Sequence, residues 1–257
     1  MQLYKNFFLE AGLNHLGSLK EANMMLNFFL KSKFKYLTFM IHSKEFYKNM
    51  KKRINYNLPR SFYEKAIKLA KKNNKKIGLS VCDFETFKNY YDLNFDFYKL
   101  LGISINDKYL IQKLKKKNKK IYISVAHGSD LKIRKCIKYF KSSKNLSIIY
   151  TSRSYNPNDW DLNRINYLSK FKIPVGYGHH YKNVLPIILS SLFKTSFFFI
   201  YIKNFTKRKK LFPDDDHGIF TSDLDKIIFQ LQETKTLLKK KKTINIKSNI
   251  KSIVNKI

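Results

Sequence analysis

Residues 61–100 read SFYEKAIKLAKKNNKKIGLSVCDFETFKNYYDLNFDFYKL, and two periods alternate along them. From Ser61 to Asn73, Phe62, Ala66, Leu69 and Ala70 recur at the three- and four-residue spacing of a helix that buries one stripe. Ile77–Val81 is then a short apolar run, Asp83–Tyr91 returns to helical spacing, and Phe95–Leu100 is a second short run. Runs that stay apolar, rather than alternating with polar residues, belong to parallel strands covered on both faces. The segment therefore predicts helix, strand, helix, strand, the repeating unit of an α/β domain.

The alternation extends in both directions. Further strands are expected at Phe7–Ala11, Tyr36–Ile41, Ile121–Val125, Ser147–Thr151, Ile173–Tyr177 and Ser196–Ile202. Further helices are expected at Leu19–Ser32, Asp107–Lys116, Asp130–Phe140, Asp159–Phe171, Lys182–Phe193 and Ser222–Leu238. Ser18 stands at the head of the first helix, where its oxygen can satisfy an unpaired N–H group. Eight such units predict a single-domain (β/α)8 TIM barrel, a fold that takes about 250 residues. The competing open sheet would carry a Gly-rich turn after its first strand. Here that turn is Gly12-Leu13-Asn14-His15-Leu16-Gly17, without the middle glycine of a dinucleotide-binding loop. The barrel is assigned to residues 1–238 and a Lys- and Asn-rich C-terminal tail to residues 239–257.

Composition narrows the class further. With 44% hydrophobic and 27% charged residues, the chain can bury a large core and is not a disordered polyelectrolyte. Two cysteines, Cys82 and Cys136, are too few for a disulfide framework or a four-thiolate zinc site. No leader pattern opens the sequence and no stretch of 18 residues is free of charge, so a cytoplasmic protein with no membrane partner is expected. The net charge is +34, yet only six of the 52 basic residues are arginine, and the lysines are scattered through every segment. A nucleic-acid partner would favour arginine forks on one face, so no nucleic-acid partner is expected and the lysines are read as solvated surface.

In a barrel of this kind the chemistry sits where strands end and loops begin. That filter selects Glu10, Asn14 and His15 after the first strand, Cys82 and Asp83 after the third, and Lys99 at the end of the fourth. It also selects Ser124 and His127, then Ser154-Tyr155, then His179-His180, and finally Lys203, Asn204 and Asp214-Asp215-Asp216-His217. Five of the six histidines fall at this one rim. Successive residues of an extended chain point to opposite sides, so at most one of His179 and His180 should face the mouth. Imidazole and carboxylate groups of this kind suit a divalent metal, and Lys with Ser suits an anion beside it. Cys82 reads as a buried structural thiol, since no base is assigned to it.

The order of these rim segments resembles the sialic acid synthase family. Glu10-Ala11-Gly12-Leu13-Asn14-His15-Leu16-Gly17 is similar to that family's Glu-Ile-Gly-x-Asn-His-x-Gly, and Tyr98-Lys99 to its Tyr-Lys-Ile. Ser154-Tyr155 resembles a Ser-Tyr-Pro element, and Pro174-Val175-Gly176-Tyr177-Gly178-His179-His180 resembles Pro-Val-Gly-Tyr-Ser-Asp-His. Lys203-Asn204-Phe205-Thr206 stands where the family has Lys-His-Phe-Thr, and Asp216-His217 where it has Pro-Asp-His. The resemblance implies a barrel that condenses phosphoenolpyruvate with an N-acetylated amino sugar to a nonulosonic acid, assisted by Mn2+ or Mg2+. It implies catalytic roles for Glu10, Asp216 and Tyr155, substrate contacts for Asn14, Lys99, Ser124 and His217, and metal ligation by His180 and Asn204. It also implies a homodimer, or a separate antifreeze-like protein, as lid, because no antifreeze-like domain is recognised after residue 238. Several positions depart from the pattern. Asn204 replaces the second metal-binding histidine, Thr38 and Met40 replace the Lys and Gln of a second-strand Lys-Phe-Gln, and Gly178 and His179 replace Ser and Asp. Two readings therefore stand: a divergent synthase, or a weakened barrel that binds a sugar or anion or partners an active synthase.

Overall fold

The computed structural model describes residues 3–49, 56–126, 128–140, 145–152, 154–204 and 212–239. His127, Phe205, Thr206 and the tail from residue 240 onward lie outside them. The first half of the chain forms β1 (Phe7–Gly12), α1 (Leu19–Lys31), β2 (Tyr36–Met40), α2 (Lys44–Asn49), α3 (Arg60–Lys72), β3 (Lys76–Val81), α4 (Phe84–Phe87) and β4 (Phe97–Leu100). Then come α5 (Lys108–Lys116), β5 (Lys120–Ser124), α6 (Asp130–Phe140), β6 (Leu146–Tyr150) and α7 (Arg164–Ser169). The chain continues with β7 (Val175–Gly178), α8 (Leu185–Ser190), β8 (Phe198–Lys203), β9 (Ile219–Phe220) and α9 (Leu224–Leu237). Strands β1 to β8 pair in chain order, all parallel, and β8 pairs back onto β1. That last pairing closes a (β/α)8 barrel, as the alternating sequence predicts.

Each expected strand is present within a few residues. The differences have local causes. Phe95 and Asp96 precede β4 because the Asp96 carboxylate accepts a hydrogen bond from the Ile77 N–H at 3.0 Å, which ties the entry of the strand to β3. The helix expected over Asp159–Phe171 is confined to α7. Before it, Pro157–Asp159 is a 3₁₀ turn, Trp160 donates its indole N–H to the Ser154 carbonyl at 2.6 Å, and the Asp161 N–H donates to the Tyr150 hydroxyl at 3.0 Å. These bonds hold the segment in a non-helical course. Helix α2 and the two-residue β9 have too few residues to show a period, and the sequence gives no sign of either.

Helix α1 buries Ala22, Met25, Leu26 and Phe29 against the barrel, with the Ser18 hydroxyl accepting from the Glu21 N–H. At its other end the Lys75 ammonium donates to the carbonyls of Phe29, Ser32 and Phe34 at 2.5–2.8 Å, filling acceptors that a helix C-terminus leaves open. Inside the barrel, Phe8, Phe97, Tyr122, Ile149, Phe197 and Phe199 form one packed cluster. Side chains alternate along a strand, so the residue two positions further on shares the same face. Above Phe8, Phe97, Tyr122, Ile149 and Phe199 therefore stand Glu10, Lys99, Ser124, Thr151 and Tyr201. An aromatic layer supports a layer that carries the chemistry.

Candidate active site

A cavity of about 360 Å³ opens at the C-terminal ends of the strands. Lys99, Ser124, Thr151, His180, Tyr201 and Asp214 are among its lining residues. At its floor the Lys99 ammonium donates to Glu10 Oε1 at 2.5 Å, with only 4% of the Lys99 side chain and 1% of the Glu10 side chain exposed. The other carboxylate oxygen, Glu10 Oε2, is buried with no hydrogen-bond partner. The ammonium also lies 5.3 Å from the Phe199 ring centre and 5.4 Å from that of Tyr201, so aromatic faces share its charge. Burial raises the Glu10 pKa against the opposing pull of Lys99.

The second acid of the site is Asp214. Burial, reinforced by the charge of Glu10, lifts its pKa from 3.8 to about 7, although Lys99 pulls the other way. Two features place it. Asn14 accepts the Asp214 backbone N–H at 3.0 Å and donates to the Ile202 carbonyl at 2.9 Å, which clips the loop after β8 to the end of that strand. Gly12 leaves room on the other side. It sits at φ +52°, and a Cβ there would stand 2.7 Å from Asp214 Oδ2 and 2.6 Å from the Tyr201 ring. A glycine is required for both reasons.

Asp216, the residue of this loop that the resemblance singles out, is exposed and does not line the cavity. Asp214 takes the inward position, following Pro213 as the Pro-Asp of the family pattern does. The Asn14 side chain clips the Asp214 loop through its two backbone bonds, and it is not among the residues that line the cavity. Asn204 donates its amide to the Glu21 carbonyl at 3.0 Å and to Glu21 Oε2 at 2.8 Å, which ties its nitrogen to α1.

His180 lines the cavity, and His179 does not: its ring is buried, with Nδ1 3.3 Å from the Tyr177 hydroxyl. The His180 ring stacks on His217 with centres 4.5 Å apart and planes 18° apart. His217 in turn has Nδ1 2.8 Å from the Tyr155 hydroxyl and Nε2 3.6 Å from Asp214 Oδ1. Burial drives the His217 pKa down to about 4, so the ring is neutral near pH 7. His217 thus links Tyr155 to the cavity-lining His180, while neither Tyr155 nor His217 is itself a lining residue. Among the described residues no group of three or more His, Cys, Asp and Glu side chains is arranged to hold a metal ion. The Asn204 amide nitrogen is tied to Glu21, and of the two implied ligands for Mn2+ or Mg2+ only His180 is among the residues that line the cavity.

Tyr201 and Thr151 also line the cavity, and both were open to detection two residues beyond an inward Phe199 and Ile149. His42 lines it as well, stacked on Phe46 at 3.7 Å. Nothing in the sequence marks that loop. No described helix is long and apolar enough to cross a membrane.

A closed parallel barrel with a buried acid–ammonium pair beneath a cavity at its strand ends places the candidate site where (β/α)8 barrels carry their chemistry. The profile of the NeuB family matches residues 18–243, and the chain belongs to that family. Sequence comparison with curated proteins gives no match. Among solved structures, the fold is similar to that of the N-acetylneuraminic acid (sialic acid) synthetase of Leptospira borgpetersenii serovar Hardjo-bovis. The TM-score is 0.81 at 19% identity, covering 98% of this chain and 91% of that one. It is also similar to spore coat polysaccharide biosynthesis protein E of Chromobacterium violaceum, with TM-score 0.80 at 16% identity, covering 96% and 80%. A spore coat polysaccharide biosynthesis protein of Bacillus subtilis follows, with TM-score 0.75 at 15% identity, covering 91% and 69%.

Proposed function

We propose that the protein condenses phosphoenolpyruvate with an N-acylated aldose and water, releasing phosphate and a nonulosonic-type sugar acid. The observation that carries this reading is the buried Glu10–Lys99 pair, with Asp214 beside it and His180 on the same cavity. In the reaction the enol carbon of phosphoenolpyruvate attacks the sugar aldehyde, water adds to the carbon that bears the phosphate, and phosphate leaves. Lys99 supplies a cation for the carboxylate or phosphate of the donor. Asp214, protonated below about pH 7, can give its proton to the aldehyde oxygen as the new bond forms. Glu10 has a free acceptor oxygen to take a proton from the attacking water. Ser124, Thr151 and His180 provide polar contacts around them.

The test is phosphate release from phosphoenolpyruvate and N-acetylmannosamine, run with and without Mn2+ or Mg2+ and with and without an added antifreeze-like lid domain. Phosphate appearing in step with sugar acid, and lost in Lys99→Ala, is the expected result. The second reading is a catalytically weak barrel that binds a sugar or anion, or that partners an active synthase. It is favoured by Asn204 being committed to Glu21. Absence of phosphate release across a panel of aldoses would select it.

A further inference from the structure

Helix α9 buries Leu224, Ile227, Ile228 and Leu231 against the barrel, and its other faces carry apolar side chains that the barrel does not use. Gln230, Glu233, Thr234 and Leu237 recur at three- and four-residue spacing and form one wall of a groove of about 560 Å³. Val184, Leu185 and Ile188, at the start of α8 and along it, belong to the other wall. Leu237 is 83% exposed, and Leu185 and Phe229 are exposed with it. Leu189 and Leu192, four and seven residues beyond Leu185, extend the exposed apolar edge of α8. Single exposed apolar side chains are ordinary on a protein surface. A groove edged by them on two neighbouring helices marks a docking face.

We propose that the occupant of this groove is the C-terminal segment of the same chain, residues 246–257. Ile246, Ile250, Ile253, Val254 and Ile257 fall on one stripe at helical period. The match to the NeuB family ends at residue 243, so this stripe is something the chain carries beyond the barrel profile. Alone, a helix of this length is marginal in water, and an apolar face to pack against is what it lacks. The groove supplies one. Charge agrees as well: residues 240–257 carry six lysines and no acid, and Glu233 lines the groove. The connection is short, because α9 ends at Leu237, itself a wall residue. Residues 238–245 then match the links of roughly 2–8 residues that join neighbouring helices. Residues 246–257 as a helix span about 18 Å, close to the roughly 21 Å of α9. A second copy could offer the same segment, but a tethered one stands at a far higher effective concentration. The inference is independent of the reaction the barrel carries out.

The test replaces the exposed Leu237 by the photo-cross-linker p-benzoylphenylalanine in the full chain and maps the links by mass spectrometry. Links to residues 246–257 of the same chain are expected. Mixing isotopically light and heavy protein separates them from links between copies. Links only between copies, links only to other segments, or no link at all, as when the groove serves a foreign partner, would overturn the inference. Hydrogen exchange of the full chain gives a second readout that does not depend on the cross-linker. Ile250→Asp with Ile253→Asp should speed exchange of residues 230–237 at least about tenfold, because the groove loses its cover. Ser248→Asp, opposite the stripe, should leave that exchange unchanged. Exchange of residues 230–237 that ignores the paired substitution, or that Ser248→Asp quickens equally, would count against the segment as occupant.

Discussion

Glu10 and Lys99 meet across the interior of the barrel: Oε1 and Nζ are 2.5 Å apart, although β2 and β3 lie between their strands in the sheet. The contact cannot be made along the sheet, so both side chains must point inward, and they do so directly above the aromatic layer. Removing one partner of such a pair leaves the other as an uncompensated buried charge, which costs about 3–5 kcal/mol. Lys99→Ala is therefore expected to lower stability by that order and to abolish phosphoenolpyruvate binding. Glu10→Leu with Lys99→Met should recover most of the stability and none of the binding. Urea unfolding with a parallel phosphoenolpyruvate titration checks both. Wild-type binding in Lys99→Ala would refute the role given to the ammonium.

Asp214 gives the site a pH dependence whose sign is fixed by its shift. Its pKa is about 7 in the folded protein against 3.8 in the unfolded chain. Below pH 3.8 both states hold the proton, and between 3.8 and 7 only the unfolded state releases it. Stability therefore falls as pH rises through that window, by at most about 4 kcal/mol, and by less because 20% of the side chain reaches solvent. Glu10 is raised by burial and adds a slope of the same sign. Urea midpoints between pH 4 and 8 should show Asp214→Asn with a flatter profile than wild type. A profile for Asp214→Asn as steep as that of wild type would contradict the place given to Asp214.

The barrel was legible because its strands are short and apolar throughout, and because helical spacing returns between them. The lower ring of the site was legible for a related reason: Glu10, Lys99 and Ser124 sit at strand ends, where alternation fixes the face. What could not be read is set by contacts between distant loops. Asp214, Asp215 and Asp216 are equivalent as letters. Only the Asn14 clip and the space beside Gly12 decide that Asp214 turns inward, and both lie about 200 positions away. Asn204 likewise reads as a polar residue at the mouth until helix α1 brings Glu21 within 2.8 Å of its amide.

Cys82 is a thiol at the rim that should behave as an inert one. Its sulfur lies 3.0 Å from Asp83 Oδ2 and 3.4 Å from His42 Nδ1. Burial, followed by the bond to and charge of Asp83, pushes its pKa well above the ordinary thiol range. Cys136 is buried too, and its thiol is raised to about 12. Neither forms thiolate near neutral pH, so an aromatic disulfide reagent is expected to label no thiol in the folded protein and two after unfolding. Cys82→Ser keeps a donor to Asp83 and should retain phosphate release within about threefold, in line with a hydroxyl replacing a neutral hydrogen-bonding thiol. Rapid labelling of Cys82 in the native state would contradict this assignment.

Gly176 and Gly78 test whether the floor of the cavity depends on the aromatic layer beneath it. A Cβ at Gly176 would fall 2.1 Å from the Phe197 ring, and one at Gly78 would fall 2.2 Å from the Phe97 ring. Both rings belong to the cluster that contains Phe199, the ring beside the Lys99 ammonium. Neither ring can retreat without disturbing its neighbours, since Phe97 packs edge-on to Phe8 at 5.3 Å and Phe197 to Tyr122 at 5.1 Å. Overpacking of this kind typically costs 1–3 kcal/mol, so Gly176→Ala should destabilise the barrel by about 2 kcal/mol. Because Phe199 would shift with its neighbours, phosphoenolpyruvate binding should weaken as well. Adding Phe197→Leu to Gly176→Ala makes room for the new methyl group and should restore part of both losses. A Gly176→Ala protein with unchanged urea midpoint and unchanged binding would mean that the layer does not support the site.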